Sequence, residues 1–454
     1  MRVSVIGCGH LGTTHAAAMA ELGHDVIGVE QDPEKCRALA AGRVPFFEAG
    51  LDELVAKHTA SGRLRFSTAP AAAAAGAELH FLAVGTPLRP DGKGYEVDQV
   101  VGAVRSLVPL LQRPCTIVGK STVAVGTVAR LQAIIDGLAT VPGVELVWNP
   151  EFLREGHAVL DTLEPDRILA GLSSTAARKA LEEVYAPILA RGEAQLVITD
   201  PATAEVAKSA ANACLAAKIS FVNAMAEVCE LTGADVTQVA RVLGIDPRIG
   251  PLGMRPGIGY GGGCLPKDIA AFAHRVKELG AVRAAGLLDA VEAVNHGRRE
   301  AAVALVARAA GGNLEGVRVG FLGAAFKAGT SDVRDSPALW LAARLHLCGA
   351  TVVIHDPQAL PQAQRALPEA QYRETALGAA TGADLLVLGT EWPEYLADPQ
   401  LPATAATLVR KPVLVDVRTA VDPALWLAAG WSVWQLGCPV RHPTVPPATV
   451  APPG

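Results

Sequence analysis

Gly259-Tyr260-Gly261-Gly262-Gly263-Cys264-Leu265-Pro266-Lys267-Asp268 places one thiol at the end of a glycine run and a carboxylate four residues beyond it. Glycines carry no side chain, so a bulky ligand could approach the backbone beside Cys264. Pro266 opposes any helix that begins earlier and suits the first turn of one that begins there. Cys264 is then expected just before a helix N-terminus, where the positive end of the dipole favours a thiolate. Asp268 would lie in the first turn of that helix, within reach of a water or a substrate hydroxyl. The alternative is a glycine-rich turn holding a buried, inert cysteine. The rest of the chain decides between them.

A nucleophile of this kind needs a frame and a co-reactant, and the first residues supply a candidate for both. Residues 3–6 read as a short buried strand, followed directly by Gly7-Cys8-Gly9-His10-Leu11-Gly12. A helical stretch to about Leu22 and a second strand over residues 25–29 follow, ending at Glu30. The glycines permit a tight turn and close approach of a pyrophosphate to the helix N-terminus. Glu30, 18 positions after Gly12, can accept hydrogen bonds from ribose hydroxyls and would repel a 2′-phosphate. NAD is therefore expected rather than NADP.

Further strands are expected at 79–84 and 116–119, alternating with helices as in a doubly wound parallel sheet. They end in Gly85-Thr86-Pro87 and Lys120-Ser121-Thr122, so Thr86 and Thr122 are candidates for the cofactor groove. From about Pro201 the pattern is helical, with one long helix over 204–231 on which Lys208 and Asn212 share a face. A second α/β unit begins at Val317, with strands at 317–322, 351–355, 383–389 and 413–417. Its first loop lacks the glycine pattern but carries Lys327 and Arg334, which suit a diphosphate. The expected domains are residues 1–199, a helical 200–312, 313–438, and a proline-rich tail over 439–454.

Half of the 454 residues are hydrophobic (50%) and 19% are charged, which describes a globular chain. The net charge of −5 offers no electrostatic basis for nucleic-acid binding. The eight cysteines include no Cys-x-x-Cys pair, so neither a zinc site nor a disulfide framework is expected, and reduced thiols in a cytosol fit. A strand at residues 2–6 leaves no room for a leader peptide before it. No apolar run of about 18 residues indicates a membrane span.

Taken together these segments resemble the UDP-glucose/GDP-mannose dehydrogenase family, from the first strand to about residue 420. The likeness is carried by Gly7–Gly12, Ala83–Pro87, Lys120–Val123, Asn149-Pro150-Glu151-Phe152-Leu153-Arg154-Glu155-Gly156, Glu205–Asn212, Gly259–Asp268 and Phe326–Ser336. It implies an α/β fold with two Rossmann-like parallel-sheet domains joined by a helical one, and a four-electron, NAD-dependent oxidation of a nucleotide sugar's primary alcohol. In that reaction Cys264 attacks the aldehyde formed by the first oxidation. The thiohemiacetal is oxidised to a thioester, which water cleaves.

By the same resemblance Lys208 and Asp268 bracket the reacting oxygen and Asn212 orients it. Glu151 is the base for hydrolysis, with Thr122 holding a water. Gly7, Gly9, Leu11, Gly12, Glu30, Lys35, Thr86, Thr122, Glu155 and Arg334 are expected to hold the cofactor. Glu151, Phe152, Leu153, Lys208, Asn212, Tyr260, Gly261, Phe326, Lys327 and Arg418 are expected around the substrate, with Arg248 reaching in from a neighbouring subunit. The enzyme would then be at least a homodimer. The expected substrate is UDP-glucose, with GDP-mannose or a UDP-N-acetylhexosamine as alternatives. Gly263, Leu265 and His10 depart from the family's usual serine, phenylalanine and aromatic or aliphatic residue without removing a group the mechanism needs. A two-electron hydroxyacid dehydrogenase would need neither Cys264 nor the second α/β unit. A non-catalytic sensor would need none of Cys264, Lys208, Asp268 and Glu151.

Overall fold

The computed structural model describes residues 1–443. The chain forms two compact units, Met1–Ala213 with Lys267–Ala285, and Cys214–Pro266 with the remainder from Gly286. Each contains one sheet, so the fold is α/β with two doubly wound parallel sheets and a helical segment between them in sequence.

The first unit holds eight strands: β1 (Arg2–Ile6), β2 (Asp25–Val29), β3 (Leu64–Ser67), β4 (Leu79–Leu82), β5 (Cys115–Gly119), β6 (Val144–Trp148), β7 (Arg167–Gly171) and β8 (Gln195–Thr199). Their order is β3-β2-β1-β4-β5-β6-β7-β8, parallel throughout except where β6 meets β7 at Trp148 and Gly171. The chain order reverses at β1, the switch point of the sheet, beyond whose strand ends ligands bind in folds of this kind. Alternation along the strands builds two cores. Val3, Val5, Leu79, Phe81 and Val118 pack with Met19 and Ala20 of the helix His10–Glu21 on one face. Ile6, Leu82 and Ile117 pack with Val104 and Leu107 on the other.

The second unit repeats the order. Its strands are β9 (Arg318–Leu322), β10 (Thr351–His355), β11 (Gln371–Tyr372), β12 (Leu385–Leu388), β13 (Val413–Asp416) and β14 (Ser432–Gln435), arranged β11-β10-β9-β12-β13-β14. Val319, Phe321, Leu385 and Val387 face one core and Leu322, Leu386 and Leu388 the other. After β14 the chain folds back: Arg441 exchanges backbone hydrogen bonds with Val433, and its guanidinium meets Asp235 at 2.7 Å. The expected tail from 439 therefore starts with residues packed on the sheet, and its remainder, 444–454, lies outside the described residues.

The long helix runs over Pro201–Thr232, and two others over Leu265–Glu278 and Val282–Ala310. Within the first unit, Glu205 of the long helix accepts the Gly126 and Val128 amides at 2.8 and 2.9 Å. That carboxylate caps the start of the helix Thr127–Leu138 after β5, and Gly126 at φ 96° makes the turn into it.

Packing at the ends of β5 and β6 gives a direct test. A Cβ at Gly119 would lie 2.0 Å from the Trp148 ring, whereas one at the exposed helical Gly137 would meet nothing within 4 Å. Gly119→Ala should cost about 1–3 kcal/mol in urea unfolding, and Gly137→Ala should add about 0.5–1 kcal/mol.

Candidate active site

The expected cofactor loop connects β1 to the helix His10–Glu21, and its glycines have separate tasks. Gly7, at φ 89°, donates its N–H to the Val29 carbonyl at 2.8 Å and has Val84 within 2.7 Å of where a Cβ would stand. A Cβ at Gly12 would reach 1.8 Å from the Gly7 carbonyl oxygen, so helix and turn are in contact there. A Cβ at Gly9 meets nothing, and Gly9 begins the helix without a side-chain cap. The open space thus lies over unsatisfied helix-start amides, where a pyrophosphate fits. Leu11 turns its side chain into the core. Glu30 is buried at the end of β2, where it accepts the Asp32 amide at 3.1 Å and pairs with Lys35 at 2.9 Å. Lys35 therefore neutralises and orients the carboxylate expected to meet the ribose.

Glu48, which sequence reasoning did not single out, ties this loop to the Glu151 segment. It accepts His10 Nε2 and the Gly156 and Ala158 amides, each at 2.8 Å. Burial works against its charge, but these hydrogen bonds outweigh it and hold the carboxyl below its ordinary range. Glu155 is buried beside this junction. Thr86 donates to the Thr122 carbonyl at 2.8 Å and Ser121 to the Val84 carbonyl at 2.6 Å, lacing the ends of β4 and β5 together.

Deeper in the first unit the structure brings four sequence-predicted side chains into two pairs. Lys208 is 4% exposed, and its Nζ lies 3.2 Å from Glu151 Oε1. Glu151 Oε2 accepts the Leu153 amide at 2.7 Å, and the Phe152 ring packs under both Lys208 and Arg167. One turn along the long helix, Asn212 Nδ2 donates to Asp268 Oδ2 at 2.7 Å. Asp268 Oδ1 accepts the Tyr95 hydroxyl at 2.9 Å and Lys267 Nζ at 2.6 Å. Behind the first pair, Lys120 is buried with Nζ 3.1 Å from Asn149 Oδ1. Burial, opposed by Glu151 and reinforced by the charge of Lys208, pushes the Lys120 ammonium down to about 8.

In the second unit Cys264 is exposed and immediately precedes the helix that starts at Leu265 and carries Asp268 in its first turn. The sequence suggests room for a ligand beside the glycines before it, and Gly259 and Gly261 do line the cavity described below, but where side chains would stand at 261–263 the space is filled by the chain itself. A Cβ at Gly261 would meet the Asp335 carbonyl oxygen at 2.2 Å, at Gly262 the Phe326 ring at 2.6 Å, and at Gly263 the Arg334 guanidinium at 2.4 Å. They are glycines so that the turn can lie against the loop 326–335. Gly263 in particular leaves space that Arg334 occupies, with Arg334 Nε also donating to Asp332 at 2.8 Å.

Beside this turn is a cavity of about 280 Å³ lined by Arg255, Tyr260, Gly261, Phe326, Lys327, Glu391 and Arg418. Asn295 brackets Tyr260 through its amide (2.8 Å) and carbonyl (3.1 Å), which fixes that wall. Arg418 forks onto Glu391 at 2.6 and 3.1 Å. Burial disfavours that carboxyl's charge, yet Arg418 holds it below the ordinary range. Three cations against one anion leave the cavity positive, as a diphosphate requires. Arg255 escaped sequence reasoning because it stands in an aperiodic loop. Arg248 is not at this cavity: its side chain is 87% exposed and paired with Asp246 at 2.6 Å.

Two sheets of dinucleotide-binding order, one with an NAD-type glycine loop and one beside a cationic cavity, define a nucleotide-dependent oxidoreductase of two Rossmann-like domains. Residues 1–189 match the NAD binding domain of the UDP-glucose/GDP-mannose dehydrogenase family, 202–297 its central domain and 320–423 its UDP binding domain. The chain belongs to that family. It is 40% identical to the UDP-glucose 6-dehydrogenase of Rhizobium meliloti over 423 residues, covering 92% of this chain and 95% of the relative. It is 38% identical to that of Pseudomonas aeruginosa over 449 residues, covering 97% and 98%. A UDP-glucose dehydrogenase from Pyrobaculum islandicum superposes with a TM-score of 0.85 at 35% identity, covering 92% of this chain and 94% of that one. Among the described residues no His, Cys, Asp and Glu cluster is placed to hold a metal ion, and no helix is long and apolar enough to cross a membrane.

The buried Lys120 supplies a pH test. Its folded value lies below the unfolded one, so the unfolded chain binds more protons between about pH 8 and 10. Stability relative to Lys120→Met should therefore rise with pH across that window in urea titrations, and be flat below it.

Proposed function

We propose that the protein oxidises the C6 primary alcohol of UDP-glucose to the carboxylate of UDP-glucuronate, in two successive two-electron steps. The observation that carries this reading is Cys264: an exposed thiol at the end of a packed glycine turn, directly before a helix start. The amides after Gly7 and the Glu30 carboxylate would hold NAD⁺, which would accept one hydride in the first oxidation, and a second NAD⁺, taken up after the first NADH leaves, would accept the other. As C6 gives up its first hydride, the Asp268 carboxylate takes the hydroxyl proton, directly or through a water, while the Lys208 ammonium stabilises negative charge on that oxygen and Asn212 sets the carboxylate's angle. The Cys264 thiolate then adds to the C6 aldehyde. The tetrahedral thiohemiacetal loses its second hydride and becomes a thioester. Glu151 takes a proton from a water held with Thr122, and that water cleaves the thioester to acid and thiol. Phe152, Leu153, Tyr260, Gly261, Phe326, Lys327 and Arg418 hold the nucleotide sugar, its diphosphate facing Lys327, Arg255 and Arg418. Thr86, Glu155 and Arg334 border the cofactor.

Residues 1–199 serve as the NAD domain, 200–312 as the helical domain and 313–438 as the nucleotide-sugar domain in this reading. A homodimer built on the long helix is supported by the exposed Leu215, Phe221, Val228 and Leu231 along it. The exposure of Arg248 suits a residue that acts in a partner's site. The absence of any disulfide among the described cysteines fits a reducing cytoplasm.

NADH formed per UDP-glucose consumed, with GDP-mannose run in parallel, checks the proposal. Two NADH and UDP-glucuronate are expected from UDP-glucose. Two NADH from GDP-mannose alone would move the substrate, and one from either would end the four-electron mechanism.

A further inference from the structure

Asp268 is only 2% exposed, and a carboxylate so buried is useful only if its oxygens are held at a defined angle. One of the side chains that hold it, Tyr95, comes from a place with no chemistry of its own. It stands on a small hairpin that leaves the end of β4 directly after Gly85-Thr86-Pro87. Leu88 bridges to Tyr95, Arg89 N–H donates to the Gly94 carbonyl at 3.0 Å, and Glu96 N–H donates to the Pro87 carbonyl at 2.8 Å. The hairpin thus fixes the Tyr95 backbone, and the side chain is buried at 7% exposure.

We propose that Tyr95 is a positioning residue for Asp268 and through it for the oxidation of the substrate alcohol. Its side chain acts twice on one carboxylate oxygen. The hydroxyl donates to Asp268 Oδ1 at 2.9 Å, and the ring lies 4.8 Å beneath Lys267 Nζ, which reaches the same oxygen at 2.6 Å. The cation–π contact keeps Lys267 folded over the ring instead of extended into water. Asn212 takes the other oxygen at 2.7 Å. With both oxygens tethered the carboxyl plane cannot rotate, so Asp268 meets the substrate oxygen without reorganising. Removing the hydroxyl leaves Oδ1 to Lys267 alone and admits rotation or a water.

This inference rests on the proposed role of Asp268, and a double-mutant cycle separates the two. Steady-state kinetics with UDP-glucose and NAD are measured for wild type, Tyr95→Phe, Asp268→Asn and the double variant, with kcat scaled to the folded fraction from circular dichroism. Tyr95→Phe keeps the ring and should lower kcat about tenfold, with both KM values within about twofold. Asp268→Asn should lose about a hundredfold or more. The double variant should be no slower than Asp268→Asn, because the hydroxyl acts only through the carboxylate. Tyr95→His, which restores a donor, should recover part of kcat. Wild-type kcat in Tyr95→Phe, or a Tyr95→Phe loss that persists undiminished in the Asp268→Asn background, would overturn the inference. Wild-type kcat in Asp268→Asn would instead overturn the role given to Asp268 and the inference with it.

Discussion

A buried carboxylate needs donors for both its oxygens, and Asp268 finds them in residues from separate parts of the chain. Asn212 comes from the long helix, Lys267 from the residue before it, and Tyr95 from a hairpin 173 positions away. The first unit could not assemble this constellation unless the long helix ran alongside the end of β5. The Glu205 carboxylate secures that placement by capping the turn at Gly126. Lys208 then falls one turn before Asn212, opposite Glu151. A single helix thereby sets the spacing of both pairs, and a 3.6-residue repeat makes the spacing reproducible.

The two sheets share a strand order but hold their ligands by different physics. In the first, the acidic residue after β2, Glu30, accepts the Asp32 amide on one oxygen and meets Lys35 with the other. In the second, the matching residue after β10 is Asp356, and its oxygens are consumed internally. They accept the Ala324, Ala325, Gln358 and Ala359 amides and the Trp392 indole N–H, all within 3.0 Å. Nor is there open space at the turn, since a Cβ on Gly323 would lie 2.4 Å from Thr390. What remains for a ligand is the cationic cavity, where Lys327, Arg255 and Arg418 stand around Glu391. The repeated topology therefore supplies a scaffold twice and a dinucleotide site once.

Much of this was legible in the residues. The β1–helix–β2 unit, the helix start after Cys264 and the shared face of Lys208 and Asn212 all follow from local rules of period and capping, and the structure has them. Strands without a strong local pattern escaped: β8 is half exposed along its length and β11 has two residues. Tyr95 and Glu48 escaped for another reason. Each works through a contact between distant segments, and no spacing in the sequence records which loop will meet which carboxylate. The absence of side chains at 261–263 is plain in the sequence, but only the fold shows that the 326–335 loop packs into the space they leave while Gly261 also borders the cavity.

Mass spectrometry of the Cys264 peptide tests whether Cys264 carries the substrate as a thioester. Glu151→Gln, which slows hydrolysis, would be mixed with UDP-glucose and NAD and quenched in acid. A UDP-glucuronyl adduct on Cys264 that hydroxylamine removes is expected. An unmodified Cys264 peptide, recovered while NADH is still being formed, would contradict it.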